Sequence, residues 1–514
     1  MKLLMSIIEK GRFLALMFML LGCLAIQAAD DLITQQITIE LELAGSLSSK
    51  MTNRKAYKIT NLKVVGKIDA DDLTFLQTLA RSRNGGNLAF LDLSEAQIVS
   101  GGYFYDSDGL RIAGSANCLG NGIFYECNTL VSLKLPKNLK TIAYRALSCS
   151  NLKDVWIPAS VNYISRYAFD LAYSLDTVFI EDLKSWFEID FGEENSNPLY
   201  YAKHLILNGE ELKGTLFIPE GVQKIKQYAF SKNSNFTKVY LPKTLEEIAD
   251  KAFWYAGGVQ EVIMAENVKT IGYAAFENCS FLKSVTIPTS SSLIIDGDAF
   301  WGCEKLEAVN IFDINAWFNI GFWGVRANPL YYAHHLYING KEVEYLQVPN
   351  GIESIHPNAF VNAKNVVAVV IPNSVEVIGQ NAFWGCEKLK EIIIPASVKE
   401  IGVSAFRTCS SLQSIYVPWD KPLRYDKYFE GVNKQKCTLY VPKGTYQKYW
   451  LSSGWGDFEN IIEYDATGID KVTTSTDAKE LSRYSVNGQR LSAPTKGLNI
   501  VKYSDGSVKK VVVQ

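Results

Sequence analysis

The sequence predicts a β-rich solenoid, in which short parallel strands stack turn upon turn around a shared core. One indication is length, because 514 residues are too many for one compact core and favour several domains or an elongated repeat. A second is an apolar segment that ends in proline and returns at a fixed interval, with Pro349, Pro372, Pro395 and Pro418 each 23 residues apart. A third is a longer block that occurs twice. Units of this size bury too little apolar surface alone, so stacked neighbours must supply the core.

The first residues predict an export signal over 1–28. Basic residues precede the apolar run FLALMFMLLGCLAI, and small residues follow it, which is the order of a signal peptide. Two processing routes fit: cleavage near Ala28, or lipidation of Cys23, since LLGC at 20–23 is similar to a bacterial lipobox. No later segment approaches the ~20 apolar residues of a membrane span. The mature protein is therefore expected outside the cytoplasm, either soluble or held at the membrane only by a lipid anchor.

The composition is that of an ordered protein. Hydrophobic residues make up 47% of the chain and aromatic residues 12%, and the formal net charge is −2. A surface that grips nucleic acid needs an excess of basic residues to neutralise phosphates. Nucleic acid is therefore not an expected partner.

The proline-ended segments predict the strands of the solenoid. Apolar residues alternate within each segment in the pattern L-x-x-V-x-I-P, which fits a strand with one buried face. Proline is expected to end the strand because it cannot donate to the ladder. Ala265 fills the one gap in the series. The prolines are Pro136, Pro158, Pro219, Pro242, Pro288, Pro349, Pro372, Pro395, Pro418 and Pro442.

Two longer units interrupt this period and indicate a duplication. SWFEIDFGEENSNPLYYAKHLILNG at 185–209 aligns with AWFNIGFWGVRANPLYYAHHLYING at 316–340. Each long unit spans 61 residues between successive prolines, which is 23 with an insertion of 38. The block from Pro158 to Ile287 therefore recurs as Pro288 to Val417. The sequence leaves open whether the two insertions form contacts or act as spacers.

The segment AFWGCEKL occurs at 299–306 and again at 382–389, and its cysteine belongs to a repeated column. A column that also accepts Ala and Asn requires a small buried side chain, a role that free cysteine fills. Neighbouring turns bring these cysteines close enough for bridging to be conceivable, but we expect free thiols because alanine-containing turns stack without a bridge. The column consists of Cys127, Cys149, Cys279, Cys303, Cys386 and Cys409, with Ala172, Asn233, Ala256 and Ala363 in other turns.

The repeat unit resembles that of the BspA-like leucine-rich-repeat surface proteins, which Bacteroidetes export. The pattern I-x-x-x-A-F-x-x-C-x-x-L-x-x-V-x-I-P-x-x-V-x-x-I is nearly complete from Ile271 to Ile295 and from Ile378 to Ile401. A small residue before the strand and a proline after it distinguish this variant of the repeat. The resemblance implies BspA-like leucine-rich repeats of about 23 residues over 106–445, with the two 38-residue insertions.

The two ends of the chain predict separate parts. Residues 59–98 resemble the segment that leads into such arrays, and an N-terminal cap region is predicted over 29–105. Residues 446–467 predict a C-terminal cap and linker. Residues 468–514 predict a small β-rich domain, because Asn487-Gly488 and Asp505-Gly506 are hairpin turn signals. This domain is similar to the C-terminal sorting domains of the type IX secretion route, which implies the outer cell surface or release as the destination.

No motif predicts catalysis, a cofactor or a metal site. The sequence contains no serine elbow, phosphate loop, H-E-x-x-H or C-x-x-C. His204 and His335 hold the same place in the two long units, so they are repeat positions. DADD at 69–72 and DSDG at 106–109 lack the later ligands of a calcium loop and predict ordinary acidic turns. We therefore expect a non-enzymatic protein without a cofactor.

Outward strand positions provide the candidate ligand-binding residues. The last outward position in each turn forms a row that is aromatic towards its N-terminal end, and exposed aromatics in a line are enriched at binding surfaces. The resemblance implies adhesion to host matrix or cell-surface proteins, or to other bacteria. The alternative is a glycan-binding accessory protein in polysaccharide capture, whose aromatic rings would stack on sugars. The candidates are Trp156, Phe179, Phe217, Tyr240 and Tyr416.

Overall fold

The computed structural model describes residues 32–51, 54–105, 109–288, 292–424, 427–464, 480–485, 490–503 and 508–513. The chain divides into two compact units, Met1–Leu212 and Lys213–Gln514. The expected signal peptide with Cys23 lies outside the described residues, as do the turn signals Asn487-Gly488 and Asp505-Gly506 and most of DSDG.

The first unit is built on one long sheet, here called ladder A. Neighbouring strands run parallel as far as His204–Leu207, and the last strand returns antiparallel. An additional strand, Ala96–Ile98, also pairs with the second strand of the ladder. In spatial order ladder A consists of Ile37–Leu41, Asn61–Ile68, Phe90–Asp92, Ser132–Lys134, Asp154–Ile157, Thr177–Ile180, His204–Leu207 and Glu210–Glu211.

Helices and a hairpin surround ladder A. The α-helices are Leu47–Lys50, Ala70–Leu79 and Leu183–Phe187, and the hairpin pairs Tyr103–Tyr105 with Arg111–Ala113. The 3-10 helices are Arg54–Lys58, Ser82–Asn84, Glu194–Ser196 and Pro198–Tyr200.

The second unit contains two long ladders. Ladder B is parallel up to Leu336–Ile338 and ends in an antiparallel strand, whereas ladder C is parallel throughout. Short α-helices cover Ile314–Phe318, Leu330–Ala333 and Tyr446–Trp450. Ladder B consists of Gly214–Phe217, Phe236–Tyr240, Glu261–Ile263, Ser284–Thr286, Ala308–Ile311, Leu336–Ile338 and Lys341–Glu342. Ladder C consists of Tyr345–Gln347, Ala368–Val370, Glu391–Ile393, Ser414–Tyr416, Thr438–Pro442 and Asn460–Tyr464.

These ladders confirm the expected β-rich solenoid, and the prolines stand at the ends of the long strands. The carbonyl of Pro242 accepts the N–H of Leu245 at 3.1 Å, so the proline also begins the turn that leads away from the sheet. Strand Thr438–Pro442 likewise ends at its proline, which still pairs with Tyr464. The N–H of Lys443 bonds the Tyr464 carbonyl at 3.0 Å, so the ladder does not need the donor that proline lacks.

The residues after each proline form a second row of strands that the sequence analysis did not predict. The V-x-x-I part of the unit forms these strands, and its isoleucine column pairs in parallel with the next turn. In the first unit these strands are Cys118–Leu119, Thr141–Ile142, Tyr163–Ile164 and Asp190–Phe191. In the second unit they are Lys224–Ile225, Glu247–Ile248, Thr270–Ile271, Ile294–Ile295 and Gly321–Phe322, followed by Ser354–Ile355, Val377–Ile378 and Glu400–Ile401.

The A-F-x-x-C segments build the core between the two rows of strands. Phe253, Phe276 and Phe300 are fully buried and stack with centroid separations of 5.1 and 5.4 Å. A second stack runs through Phe383 and Phe406, 5.5 Å apart. Such columns follow directly from repetition, because the same ring occupies the same place in successive turns.

The glycine of AFWGC has a conformational cause. In both copies of this segment the residue before the cysteine lies in the left-handed region, with φ of 75° at Gly302 and 79° at Gly385. Other turns place Asn278 or Asn362 there, residue types that tolerate this region better than most. A Cβ on Gly385 would also lie 2.0 Å from the side-chain oxygen of Asn362 in the turn before.

The two insertions are turns of the solenoid. The strands His204–Leu207 and Leu336–Ile338 extend ladders A and B in register. Each insertion also buries its own tryptophan, Trp186 or Trp317. In the second unit the Nε1–H of Trp317 donates to the carbonyl of Ala359 at 2.9 Å, so this insertion packs against the first turn of ladder C. The question left open by the sequence is answered in favour of structural contacts.

The C-terminal residues form a small antiparallel sheet, as the alternating pattern predicted. Its strands are Arg490–Leu491, Glu480–Ser485, Gly497–Tyr503 and Val508–Val513 in spatial order. The Lys496 Nζ lies 3.0 Å from a Glu344 carboxylate oxygen, just before ladder C begins. The domain boundaries and the sorting role stay predictions.

Candidate binding surface

Two of the candidate residues form a stacked pair on ladder A. Trp156 and Phe179 are direct neighbours in the parallel register, so their side chains leave the same face of the sheet one strand spacing apart. Their ring centroids are 4.0 Å apart and the planes differ by 3°. Because the rings cover one another, both are half-buried despite their outward positions.

Charged residues continue the same row beyond Trp156. Lys134 pairs with Trp156 on the side away from Phe179, and its Nζ lies 5.2 Å from the ring centroid, within the range of a cation–π contact. Asp92 is next in the row, with its carboxylate 3.6 Å from the same Nζ. Burial alone would raise the pKa of Asp92, but hydrogen bonds from Ser94 and the nearby lysines lower it overall.

A cleft of about 220 Å³ opens beside this pair. It combines aromatic, cationic and anionic groups, which is the mixture that protein surfaces use for specific recognition. Its wall includes Lys134, Lys137, Trp156, Phe179 and Glu181. The row thus presents ring edges and charges at the rim of a shallow cleft.

Ladder B carries the second candidate pair. Phe217 and Tyr240 are register neighbours and stack at 4.9 Å with a 12° angle between the planes. Phe217 is the most exposed of the candidates, at 64%. Lys238 on the same strand places its Nζ 5.1 Å from the Tyr240 centroid, so cations accompany the aromatic rings here as well.

The fifth candidate, Tyr416, stacks on ladder C with a residue outside the candidate set. Its ring lies 4.3 Å from that of Tyr440, and Tyr464 meets it edge-on at 5.6 Å. Burial, together with the nearby Glu391 and the two tyrosines, raises the pKa of Tyr416 well above its ordinary value. Tyr416 is therefore a neutral, partly buried group at physiological pH.

The structure thus arranges the five candidates as separate stacked pairs. Between the pairs on ladders B and C the row contains one further ring, Tyr337 beside Asn310, and otherwise aliphatic and polar residues: Ile263, Thr286, Asn310, Gln347, Val370 and Ile393. Sequence reasoning missed Lys134, although LKLP places it in the same column as Trp156. The position of Lys134 in that column was the sequence signal that could have identified it as a site residue.

The cysteine column is buried and unbridged. All described cysteines are free, and those of the column are fully buried. Burial raises the pKa of Cys279 to about 12 and raises that of Cys386 as well, which disfavours the reactive thiolate. These thiols are core groups.

The remaining polar clusters have structural roles. Asp69 caps helix Ala70–Leu79, and Asp72 accepts backbone N–H groups of Gly45 and Leu47, so DADD is a helix start. His204 and His335 make equivalent pairs with Glu211 and Glu342, at 2.6 and 2.5 Å. Within the described ranges no group of His, Cys, Asp and Glu is arranged to hold a metal ion.

No helix among the described residues combines the length and apolar character needed to cross a bilayer. This finding concerns the ladders and the C-terminal sheet, since the first 31 residues lie outside the described part of the chain.

Comparison with known proteins identifies the repeat. A family model described as BspA type leucine-rich repeat region matches in six copies over residues 93–192, 211–320 and 334–441, which is more than half of the chain. No curated protein matches the sequence.

Several solved structures are similar to this chain. A leucine-rich-repeat protein from Bacteroides ovatus shares 18% identity over 66% of this chain and 90% of its own, with a TM-score of 0.34. A leucine-rich cell-surface protein from Faecalibacterium prausnitzii shares 15% identity over 71% and 93%, with a TM-score of 0.29. The pneumococcal vaccine antigen PcpA shares 15% identity over 71% and 82%, with a TM-score of 0.26.

Proposed function

Because this chain belongs to the BspA-type leucine-rich-repeat family, we propose that it is a non-enzymatic binding protein that acts outside the cytoplasm and recognises protein ligands through the aromatic rows. The proposed partners are host matrix or cell-surface proteins, or the surfaces of other bacteria. Neighbouring proteins with the same repeat include one described as a cell-surface protein.

The observation that carries this proposal is the Trp156–Phe179 pair beside its cleft. Rings that stack on each other are fixed in place, so they lose little side-chain entropy when a ligand docks. Trp and Tyr anchors surrounded by charged rims are typical of protein interfaces. Lys134 and Lys137 at the cleft favour a ligand segment that carries carboxylates.

The same geometry makes these rows poor sugar platforms. Trp156 has Phe179 against one face and Lys134 on the side of the other, so it presents mainly its edge. Tyr416 is likewise covered by Tyr440. A sugar ring needs an open aromatic face, and the rows therefore support protein recognition better than glycan stacking.

The test uses the purified chain on immobilised extracellular-matrix proteins and on epithelial cells. Trp156→Ala, Tyr240→Ala and the double variant are compared with Thr286→Ala, which occupies the same row without a ring. Loss of an interface anchor typically costs more than ~1 kcal/mol, or roughly a fivefold change in affinity. We expect weaker binding for the aromatic variants alone. Unchanged binding in a folded double variant would refute the role of the rows.

A further inference from the structure

A separate cluster of exposed aromatic residues lies on the short-strand side of ladder B, where the last turn of the first copy of the duplicated block meets the start of the second copy. Trp323 is 70% exposed, and Trp301 and Tyr273 are also exposed. A large ring in this position has no use in the core, which the buried Phe300 and Phe322 already fill. We call Tyr273, Asp298, Trp301, Trp323 and Arg326 the second-copy cluster.

Contacts link four members of the second-copy cluster: Tyr273, Asp298, Trp301 and Arg326. The guanidinium of Arg326 lies 4.7 Å from the Trp301 centroid and 3.7 Å from the Asp298 carboxylate. The same carboxylate is 3.5 Å from the Tyr273 hydroxyl. These links join residues from three successive turns into one positioned group.

Gly297 lies beside the Tyr273 ring and the backbone of Trp323. A Cβ built on it would lie 3.9 Å from the Tyr273 ring and 4.0 Å from the Trp323 carbonyl, so both residues flank this glycine at ordinary contact distance. A side chain at position 297 would not strain the backbone, and with glycine there the surface beside Tyr273 stays open.

The first copy shows that the fold does not require these residues. The turns are equivalent, because the N–H of Gly192 bonds Ile164 at 2.9 Å and the N–H of Trp323 bonds Ile295 at 3.1 Å. Gly192 stands in place of Trp323, and by the same alignment three further positions differ, whereas Tyr273 has its equivalent in Tyr144. Asp170 replaces Trp301, Arg166 replaces Gly297 and Asn195 replaces Arg326.

The charges of the second-copy cluster limit the chemical class of ligand that the site can bind. Asp298, with Glu277 and Asp296, raises the pKa of Tyr273, so three carboxylates surround this hydroxyl. Arg326 is engaged by Asp298 and by the Trp301 ring. An anionic ligand would meet this excess of negative charge, whereas hydroxyl groups find both donors and acceptors.

We propose that the second-copy cluster is a binding site for a neutral glycan, with Trp323 and Trp301 as stacking surfaces and Asp298 and Arg326 as hydrogen-bonding groups. The exposed ring of Trp323 supplies the open aromatic face that the stacked rows lack. Mixed donors and acceptors beside exposed rings suit the alternating hydroxyl and C–H faces of a sugar. The site is independent of the proposed protein-binding rows.

The experiment is affinity electrophoresis of the full chain in native gels that contain soluble galactomannan, β-glucan or starch, with polygalacturonate as the anionic probe. Trp323→Gly and Trp301→Asp introduce the residues of the first copy, so the same turn is known to accept them. Gly297→Leu covers the surface beside Tyr273 without removing an aromatic ring. Trp384→Asp is the matched control, because Arg407 lies over Trp384 at 5.4 Å in a turn that has no equivalent of Trp323.

We expect retardation by at least one neutral polysaccharide, and an increase in Kd of roughly tenfold or more for the three cluster variants. The Trp384→Asp variant should bind as the unaltered chain does. Absence of retardation in all neutral gels, retardation by polygalacturonate alone, or full binding by the Trp323→Gly/Trp301→Asp double variant would overturn the proposal. Loss of a protein ligand by that double variant, without any glycan binding, would also overturn it and identify a protein site instead.

The experiments test the protein-binding rows and the glycan site independently. Variants of Trp156 and Tyr240 test the rows and should retain polysaccharide binding. Variants of the second-copy cluster should retain binding to matrix proteins or cells.

Discussion

Cys303 donates its thiol hydrogen to the carbonyl oxygen of Phe276 in the preceding turn, across 3.2 Å. Cys279 makes the same contact with Phe253 at 3.2 Å, and Cys409 with Phe383 at 3.3 Å. The column cysteine therefore links successive A-F segments as a small buried donor. This explains why Ala can replace it at the cost of one weak hydrogen bond.

The first prediction concerns the redox state of these thiols. The structure has eight free cysteines among the described residues, and burial raises the pKa of the column thiols. We expect the native protein to react slowly with thiol reagents, and the denatured, unreduced protein to react at all eight. Titration with a chromogenic thiol reagent measures both states. A count below about six in the denatured state would indicate bridges between neighbouring turns.

The second prediction concerns the phenylalanine stack. Phe276 is fully buried between Phe253 and Phe300, so Phe276→Ala leaves a cavity in the middle of the column. We expect a loss of roughly 3–5 kcal/mol in the free energy of unfolding. Urea denaturation followed by circular dichroism measures it. The control is Phe217→Ala, whose ring is 64% exposed and whose loss should cost much less.

Because repeat proteins respond through nearest neighbours, the Phe276→Ala variant can unfold locally around ladder B before the remaining turns. A single transition with unchanged midpoint would show that the stack does not contribute as argued here.

The sequence predicted the ladders well because its periodicity directly encodes them. The alternation that ends at Pro242 or Pro372 specifies one buried face, and the repeated Phe and Cys columns specify what fills it. The role of the insertions was not predictable in this way. Their strand Leu336–Ile338 lacks the proline mark, so its pairing with Val309–Ile311 in ladder B was not visible in the repeat pattern.

The sequence predicted which repeat column each candidate residue occupies, but not which side chains these residues contact. Column position correctly placed Trp156 beside Phe179, but periodicity carries no information on ring stacking, which decides whether a face or an edge is offered. The second-copy cluster escaped prediction because Tyr273, Trp301 and Trp323 come from different columns. Only the folded turns bring Tyr273 and Trp301 together through Asp298 and Arg326.

The third prediction concerns acid stability. The Glu342 carboxylate lies 2.5 Å from Nδ1 of His335 and accepts a hydrogen bond from Asn365. Burial alone would raise the pKa of Glu342, but the bonds to His335 and Asn365 lower it below 4.5 overall. A lowered folded-state pKa stabilises the protein above the unfolded-state value, and this stabilisation is lost as the pH falls through the folded-state pKa.

We therefore expect Glu342→Gln to be less stable than the unaltered chain near pH 7, with the difference shrinking towards about pH 3. Thermal melts across this range measure it. Glu266→Gln, which removes an exposed carboxylate, is the charge-matched control. A difference that grows on acidification would contradict the assigned direction of the pKa shift.

The last prediction concerns export and uses both ends of the chain. An N-terminal signal would carry the chain out of the cytoplasm, and a C-terminal sorting domain would then be read at the outer membrane, whereas lipidated Cys23 would anchor the chain by its other end. We expect cleavage near Ala28 and sorting through 468–514, because the described strands of that region form a sheet of their own and ladder C is complete without them. Deletion of 468–514 should leave a folded array in the periplasm, measured by protease accessibility on intact cells and by fractionation. Cys23→Ala in the full-length chain is the matched control and should still reach the surface. If the truncated protein reached the surface, and did so only while Cys23 was present, the lipid anchor would be the operative signal.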